Sequence, residues 1–107
     1  MTTKSNSDSL DAILATKAVW NKMTFGGLIR SLRMSDEISQ VELAKKLGVS
    51  KQFLSDVERN RKEVGIAFAK KVSFVLGYSI EPLLELLIRQ QLKRQRLHYT
   101  IEIKKAS

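Results

Sequence analysis

At 107 residues and 43% hydrophobic composition the chain is the size of one compact domain with a single core. Nineteen Lys and Arg against eleven Asp and Glu give a formal charge of +8 and a pI near 10.0, which favours a polyanionic partner, nucleic acid ahead of a membrane surface. Cysteine is absent, the N-terminus MTTKSNSDSLDAIL lacks the basic and apolar regions of a signal peptide, and no stretch nears the roughly 18 apolar residues of a membrane span, so a soluble cytoplasmic protein without disulfides or a thiolate metal site is expected.

In chain order, residues 1–9 are rich in Ser, Thr and Asn with no apolar period, and burial there gains too little to offset ordering entropy, so a mobile arm is expected. From Leu10, the residues Ile13, Leu14 and Ala18 keep a helical spacing, with Trp20 and Met23 beyond, which predicts a short extra helix. Thr24 can cap a helix through Arg33 with Leu28, Ile29 and Leu32 on its buried side, and MSDEI reads as a polar loop. Ser39 with Glu42 three residues on forms a capping box, Val41, Leu43, Ala44 and Leu47 supply the apolar stripe, and Gly48 suits a left-handed helix end. Ser50 is the natural N-cap of the following helix, which runs through Arg59 and stops near Asn60. Two helices joined by about three residues through a glycine, with small Ala44 for close approach, describe a helix-turn-helix.

The segment GIAFAKKVSFVLGY repeats Ile66, Ala69, Val72 or Ser73, and Leu76 at helical spacing before Gly77. Ser79 caps a further helix with Pro82 in its first turn and Leu83, Leu84, Leu86, Leu87, Ile88 and Leu92 behind it, more aliphatic surface than one face needs. After Lys93-Arg94-Gln95-Arg96 the period changes to two, with Leu97, Tyr99, Ile101 and Ile103 alternating with His98, Thr100 and Glu102, which predicts a β-strand. A lone strand leaves its backbone ladder unpaired, and the economical partner is the same strand of a second copy across a twofold axis. A homodimer with Leu97, Tyr99, Ile101 and Ile103 at its interface is therefore expected.

The helix after Ser50 is unusually polar on one side. At about 100° per residue with Leu54 at zero, Val57 and Phe53 define one apolar edge, while Lys51, Gln52, Ser55, Asp56 and Arg59 share the opposite face. Such a helix can enter the DNA major groove, where Lys51 suits the guanine acceptors N7 and O6, Gln52 suits adenine N7 and N6, and compact Ser55 allows close approach. Asp56 can accept from cytosine N4 or restrict which sequences are tolerated. Ser50, Lys51, Gln52, Ser55 and Asp56 are the candidate base-reading set. Ser39 and Gln40 at one helix N-terminus, with Arg59, Arg61 and Lys62 after the other, are candidate phosphate contacts.

The run SQVELAKKLGVSKQFLSDVERNRK closely resembles the XRE-type, phage-repressor-like (Cro-like) helix-turn-helix regulators, over about residues 25–84. The features that carry the resemblance are Ser39-Gln40, Glu42-Leu43-Ala44, Leu47-Gly48-Val49-Ser50, the Ser55 to Glu58 run and Leu76-Gly77. The resemblance implies a sequence-specific double-stranded DNA-binding repressor, Gln40 on phosphate, Lys51, Gln52, Ser55 and Asp56 at the bases, and an internal ion pair between Arg33 and Glu58. It also implies a bacterial cytoplasm or nucleoid. Two residues depart from the pattern: Asn60 stands where glycine is usual, and Phe53 where a small residue is common. The fold expected from residues and resemblance together is all-α, a five-helix repressor-like domain over residues 24–96, with an arm and extra helix over 1–23 and a dimerisation strand over 97–107 that the bare family domain lacks.

No paired base and nucleophile, Gly-rich phosphate loop or metal constellation is present in the sequence, so an enzyme, a metal site and a cofactor are not expected. His98 is a lone histidine on the polar side of the expected strand. The basic run Lys93 to Arg96 reads as a solvated helix end favourable to the dipole, with a second DNA site as the sharper alternative. The extended form is similar to antitoxin-like members, in which Leu10 to Met23, through Trp20 or Met23, would bind a protein toxin while DNA binding serves autoregulation. The plain reading is that this segment packs on its own domain.

Overall fold

The computed structural model describes residues 17–106, so the expected arm and the start of the extra helix lie outside the described residues. Six helices follow in order: α1 Lys17–Lys22, α2 Phe25–Ser35, α3 Gln40–Leu47, α4 Lys51–Glu58, α5 Ile66–Leu76 and α6 Ile80–Arg94. α6 lies against α5 and α2, and α4 is held between α2 and α3. One core fills the space between them, built from Leu28, Ile29 and Leu32 of α2, Leu43 and Leu47 of α3, Leu54 and Val57 of α4, Val72 of α5, and Leu83, Leu86 and Leu87 of α6.

Local chemistry sets the boundaries. Thr24 Oγ1 accepts from the Gly27 N–H, Ser39 Oγ from Glu42 and Ser50 Oγ from Phe53, each at 3.0 Å, so α2, α3 and α4 all begin on a side-chain cap. Gly48 ends α3 at φ 72°, with its N–H on the Lys45 carbonyl and the Val49 N–H on that of Ala44, a Schellman closure. Ser79 precedes α6 with an extended backbone but forms no side-chain cap, in contrast to the other three.

The crossing of α2 and α4 depends on Gly26. A Cβ there would collide with the carbonyl oxygens of Val57 and Glu58, so only glycine lets the start of α2 come this close to the end of α4. Asn60 completes the junction in the left-handed region at φ 61°. Its Oδ1 accepts from the Gly26 N–H at 3.0 Å and its Nδ2 donates to Thr24 Oγ1 at 2.9 Å. A glycine would take this backbone conformation more easily but could make neither bond, which accounts for the departure at this position.

The C-terminal β-strand is not present. Among the described residues there is no strand, and residues 97–106 run on from α6 without regular secondary structure. A two-residue period is a local property, whereas a strand needs a neighbour to supply its ladder, and no other segment does so. The Ile103 N–H instead donates to Glu85 Oε2 of α6 at 3.3 Å. The four side chains expected on one strand face also divide: Leu97 and Tyr99 are exposed, while Ile101 and Ile103 are half-buried.

At the other end of the described chain, α1 is docked by Arg89 of α6. Its Nη2 donates to the carbonyl oxygens of Trp20 and Met23 at 2.8 and 2.7 Å, and its guanidinium lies 5.4 Å from the centre of the Trp20 ring. Trp20 and Met23 both pack against the core.

Candidate nucleic-acid interface

α4 is anchored on one side and open on the other. Leu54 and Val57 are fully buried, and Phe53 lies half-buried on their flank, its ring 5.7 Å from that of Phe68 in a tilted contact. Lys51 and Gln52, in the first turn, are exposed. Gln52 Nε2 donates to Asp56 Oδ1 at 3.0 Å, one helical turn on, so the two polar side chains form a unit on the surface. Ser50 is exposed, but its hydroxyl oxygen serves as the cap of α4. Ser55 is set back behind these residues, only 8% exposed.

The candidate phosphate contacts divide in the same way. Arg59, Arg61 and Lys62 are exposed along the end of α4 and the loop after it. Lys62 Nζ sits 5.2 Å above the Phe53 ring, which holds the ammonium over the flank of α4. Ser39 is exposed at the start of α3, whereas Gln40 is half-buried and turned inward. Gln40 Nε2 donates to Glu58 Oε1 at 2.9 Å.

That carboxylate is the hub of a buried network. Arg33 meets it in fork geometry, Nε to Oε2 at 2.7 Å and Nη2 to Oε1 at 3.0 Å, and Arg33 Nη1 donates to the Ile38 carbonyl oxygen at 2.9 Å. The Glu58 side chain is 1% exposed and that of Arg33 11%, so the pair is screened from water. Through it α2, the α2–α3 loop, α3 and α4 are tied to one carboxylate. Sequence reasoning did not find the inward turn of Gln40, the two side-chain hydrogen bonds of Asn60 or the packing of Phe53, although the place of Phe53 on the apolar edge of α4 was a signal for the last.

A domain of short helices, with a capped, core-anchored helix presenting a polar face flanked by cations, is of the DNA-binding helix-turn-helix class. The helix-turn-helix family model matches residues 29–83, and the chain belongs to that family, of the XRE type. It is 31% identical over 71 residues to the immunity repressor protein of Bacillus phage phi105, covering 64% of this chain and 49% of that protein. To the HTH-type transcriptional regulator SinR of Bacillus subtilis it is 43% identical over 61 residues, covering 56% of this chain and 55% of the relative. The chain thus spans about half the length of the curated relatives it matches. Among solved structures, the hypothetical transcription factor NHTF from Neisseria superposes with a TM-score of 0.53 at 30% identity, over 66% of this chain and 79% of that one. Family and relatives are transcriptional regulators, not enzymes. Among the described residues no helix is long and apolar enough to cross a membrane.

Proposed function

We propose that this chain is a sequence-specific repressor of transcription that inserts α4 into the major groove of double-stranded DNA. The observation that carries the reading is the two-sidedness of α4: Leu54 and Val57 are wholly in the core while Lys51 and Gln52 project into solvent from the helix start. Lys51 and the Gln52–Asp56 pair would meet base edges, with buried Ser55 leaving room for close approach. Arg59, Arg61 and Lys62 would hold phosphates, as would the N-terminal turns of α3 and α4 behind Ser39 and Ser50. The names of the relatives, an immunity repressor and a transcriptional regulator, support repression.

The protein works as a homodimer in this proposal, on an inverted repeat whose half-sites lie about 34 Å apart, one turn of the duplex. Support comes from an apolar surface at the end of α6, where exposed Leu97 and Tyr99 adjoin half-buried Leu92. A second copy would cover these side chains without any strand pairing. Binding to a protein toxin through Trp20 or Met23 finds no comparable support, because both are packed on the core of their own domain.

The experiment is binding to the DNA upstream of the protein's own gene against a shuffled duplex, at about 150 mM salt, where weak charge-driven binding fades. A preference of about a thousandfold is the expected result. Equal affinity for the two duplexes, repeated with the best sequences selected from a random pool, would refute sequence-specific readout.

A further inference from the structure

The basic run at the end of α6 stands next to the loop that follows α4. Arg94 Nη2 donates to the carbonyl oxygen of Asn60 at 3.2 Å, and Nη1 lies 3.4 Å from Glu63 Oε1. Asn60 immediately precedes Arg61 and Lys62, so the last turn of α6 is tied directly to the stretch proposed to hold phosphates. Lys93, one residue earlier, lines a cleft with Thr24, whose hydroxyl oxygen accepts from Asn60. Arg61 and Lys62 follow Asn60 in the loop and Arg96 follows Arg94 two residues on, so the contacts of Arg94 with Asn60 and Glu63 bring the two basic stretches together.

Two further observations argue against a merely solvated helix end. The first is Arg96, an exposed residue held in the left-handed region at φ 59°. The Arg96 N–H bonds to the Lys93 carbonyl and that of Leu97 to the Leu92 carbonyl, a helix closure of the kind glycine makes without strain at Gly48 and Gly77. The same closure is made by Glu37 at φ 58° after α2, and at the end of α6 the residue that takes this place is a cation. The second is that the closing bonds occupy the Leu92 and Lys93 carbonyls in the last turn of α6, which softens the repulsion a phosphate would otherwise meet at a helix C-terminus. The Arg94–Glu63 contact does not reserve Arg94, since the side chains are 39% and 47% exposed and a phosphate oxygen can replace the carboxylate.

We propose that Arg94 and Arg96 form a second phosphate-binding element, which grips the backbone of the same duplex that α4 reads. The inference rests on the DNA-binding reading of α4. It gives α6 a part in the interface: Arg94 extends the cationic track of the α4–α5 loop, and Arg96 sets its outer end. The ligand is the phosphodiester backbone, so the element adds affinity and register and is indifferent to base sequence.

The decisive variant is Arg96→Gly, because strain relief and charge loss act on different measurements. Affinity of the full chain for its best selected duplex is followed from 50 to 200 mM salt for the unaltered protein, Arg96→Gly, Arg94→Gln and Arg61→Gln, with thermal unfolding alongside. Arg96→Gly is expected to unfold at the same temperature or higher, yet to lower the slope of log affinity against log salt by about 0.9, roughly a 3.5-fold smaller loss of affinity over this fourfold range. Arg94→Gln is expected to flatten the slope likewise and, with Arg96→Gly, to abolish ethylation interference at the same flanking phosphates. Slopes and interference unchanged in both α6 variants, with Arg61→Gln flattening the slope, would overturn the second element and leave the α4 interface standing. No change in any of the three variants would remove the DNA face itself, and the proposal with it.

Discussion

Glu58→Ala is expected to be among the most damaging single substitutions outside the aliphatic core. The carboxylate accepts from Arg33 Nε, Arg33 Nη2 and Gln40 Nε2, and all three donors lose their acceptor at once. Arg33 keeps only its bond to the Ile38 carbonyl oxygen and remains a cation whose side chain is 11% exposed. Stripping one partner from a buried ion pair costs about 3 to 5 kcal/mol. The slight exposure of Arg33 gives its guanidinium some access to water, which places the expected loss near the lower end, about 3 kcal/mol, or a fall in Tm on the order of 10 to 25 °C. Urea unfolding checks this, the midpoint moving and the m value holding if the change is one of stability alone. Arg33→Ala/Glu58→Ala should cost clearly less than the sum of the two single variants, because the double variant leaves no buried charge unpaired. A single-variant loss under about 1 kcal/mol, or strict additivity in the cycle, would refute the network as the tie between α2 and α4.

Gln52→Ala should weaken the best selected duplex by about 1 to 3 kcal/mol and relax preference at one base position, measured by competition among single-base variants of that duplex; an equal loss on random DNA would assign Gln52 to the backbone instead. Asn60→Gly should destabilise the fold by about 1 kcal/mol in chemical unfolding, the lost bonds to Gly26 and Thr24 outweighing the relief of a left-handed residue. A gain in stability would show that those bonds contribute little. Trp20 is the single tryptophan, so its emission reports on α1 alone: Arg89→Ala should shift the fluorescence to the red as the docked helix loosens. An unshifted spectrum would mean that packing without Arg89 suffices to hold α1.

What could be read from the sequence is what adjacent residues decide. Ser39, Gly48 and Ser50 mark helix ends because a hydroxyl oxygen or a missing Cβ acts on backbone groups within about three residues, and all three sit at their expected boundaries. The apolar edge of α4 was legible for the same reason, as periodicity needs only helix geometry. The strand failed because a two-residue period at Leu97 to Ile103 says nothing about whether a neighbour exists to pair with it. Asn60 is the opposite case: it looks like a tolerated departure in isolation, and its purpose lies 34 residues away at Gly26. Gln40 was likewise read by its place at a helix start, while its partner Glu58 is 18 residues on.

Contacts near and far together fix α4: the Ser50 cap, the buried Leu54 and Val57 edge and the Arg33–Glu58 pair were expected from the sequence and its resemblance, whereas the bonds of Asn60 and Gln40 were not. The start of the helix is held by the Ser50 cap, its inner face by Leu54 and Val57, and its end by Glu58 on Arg33 and by Asn60 against the start of α2. In the proposed reading, a helix fixed in this way would bring Lys51 and Gln52 to a groove with little backbone freedom left to lose, so more of each contact to a base edge would be retained as affinity. The exposed cations need no such precision, since phosphate attraction tolerates movement of a long side chain. In the proposed reading the division of labour would follow from burial: the pinned helix would carry the residues that must discriminate, and the exposed loop and helix tip the ones that need only attract.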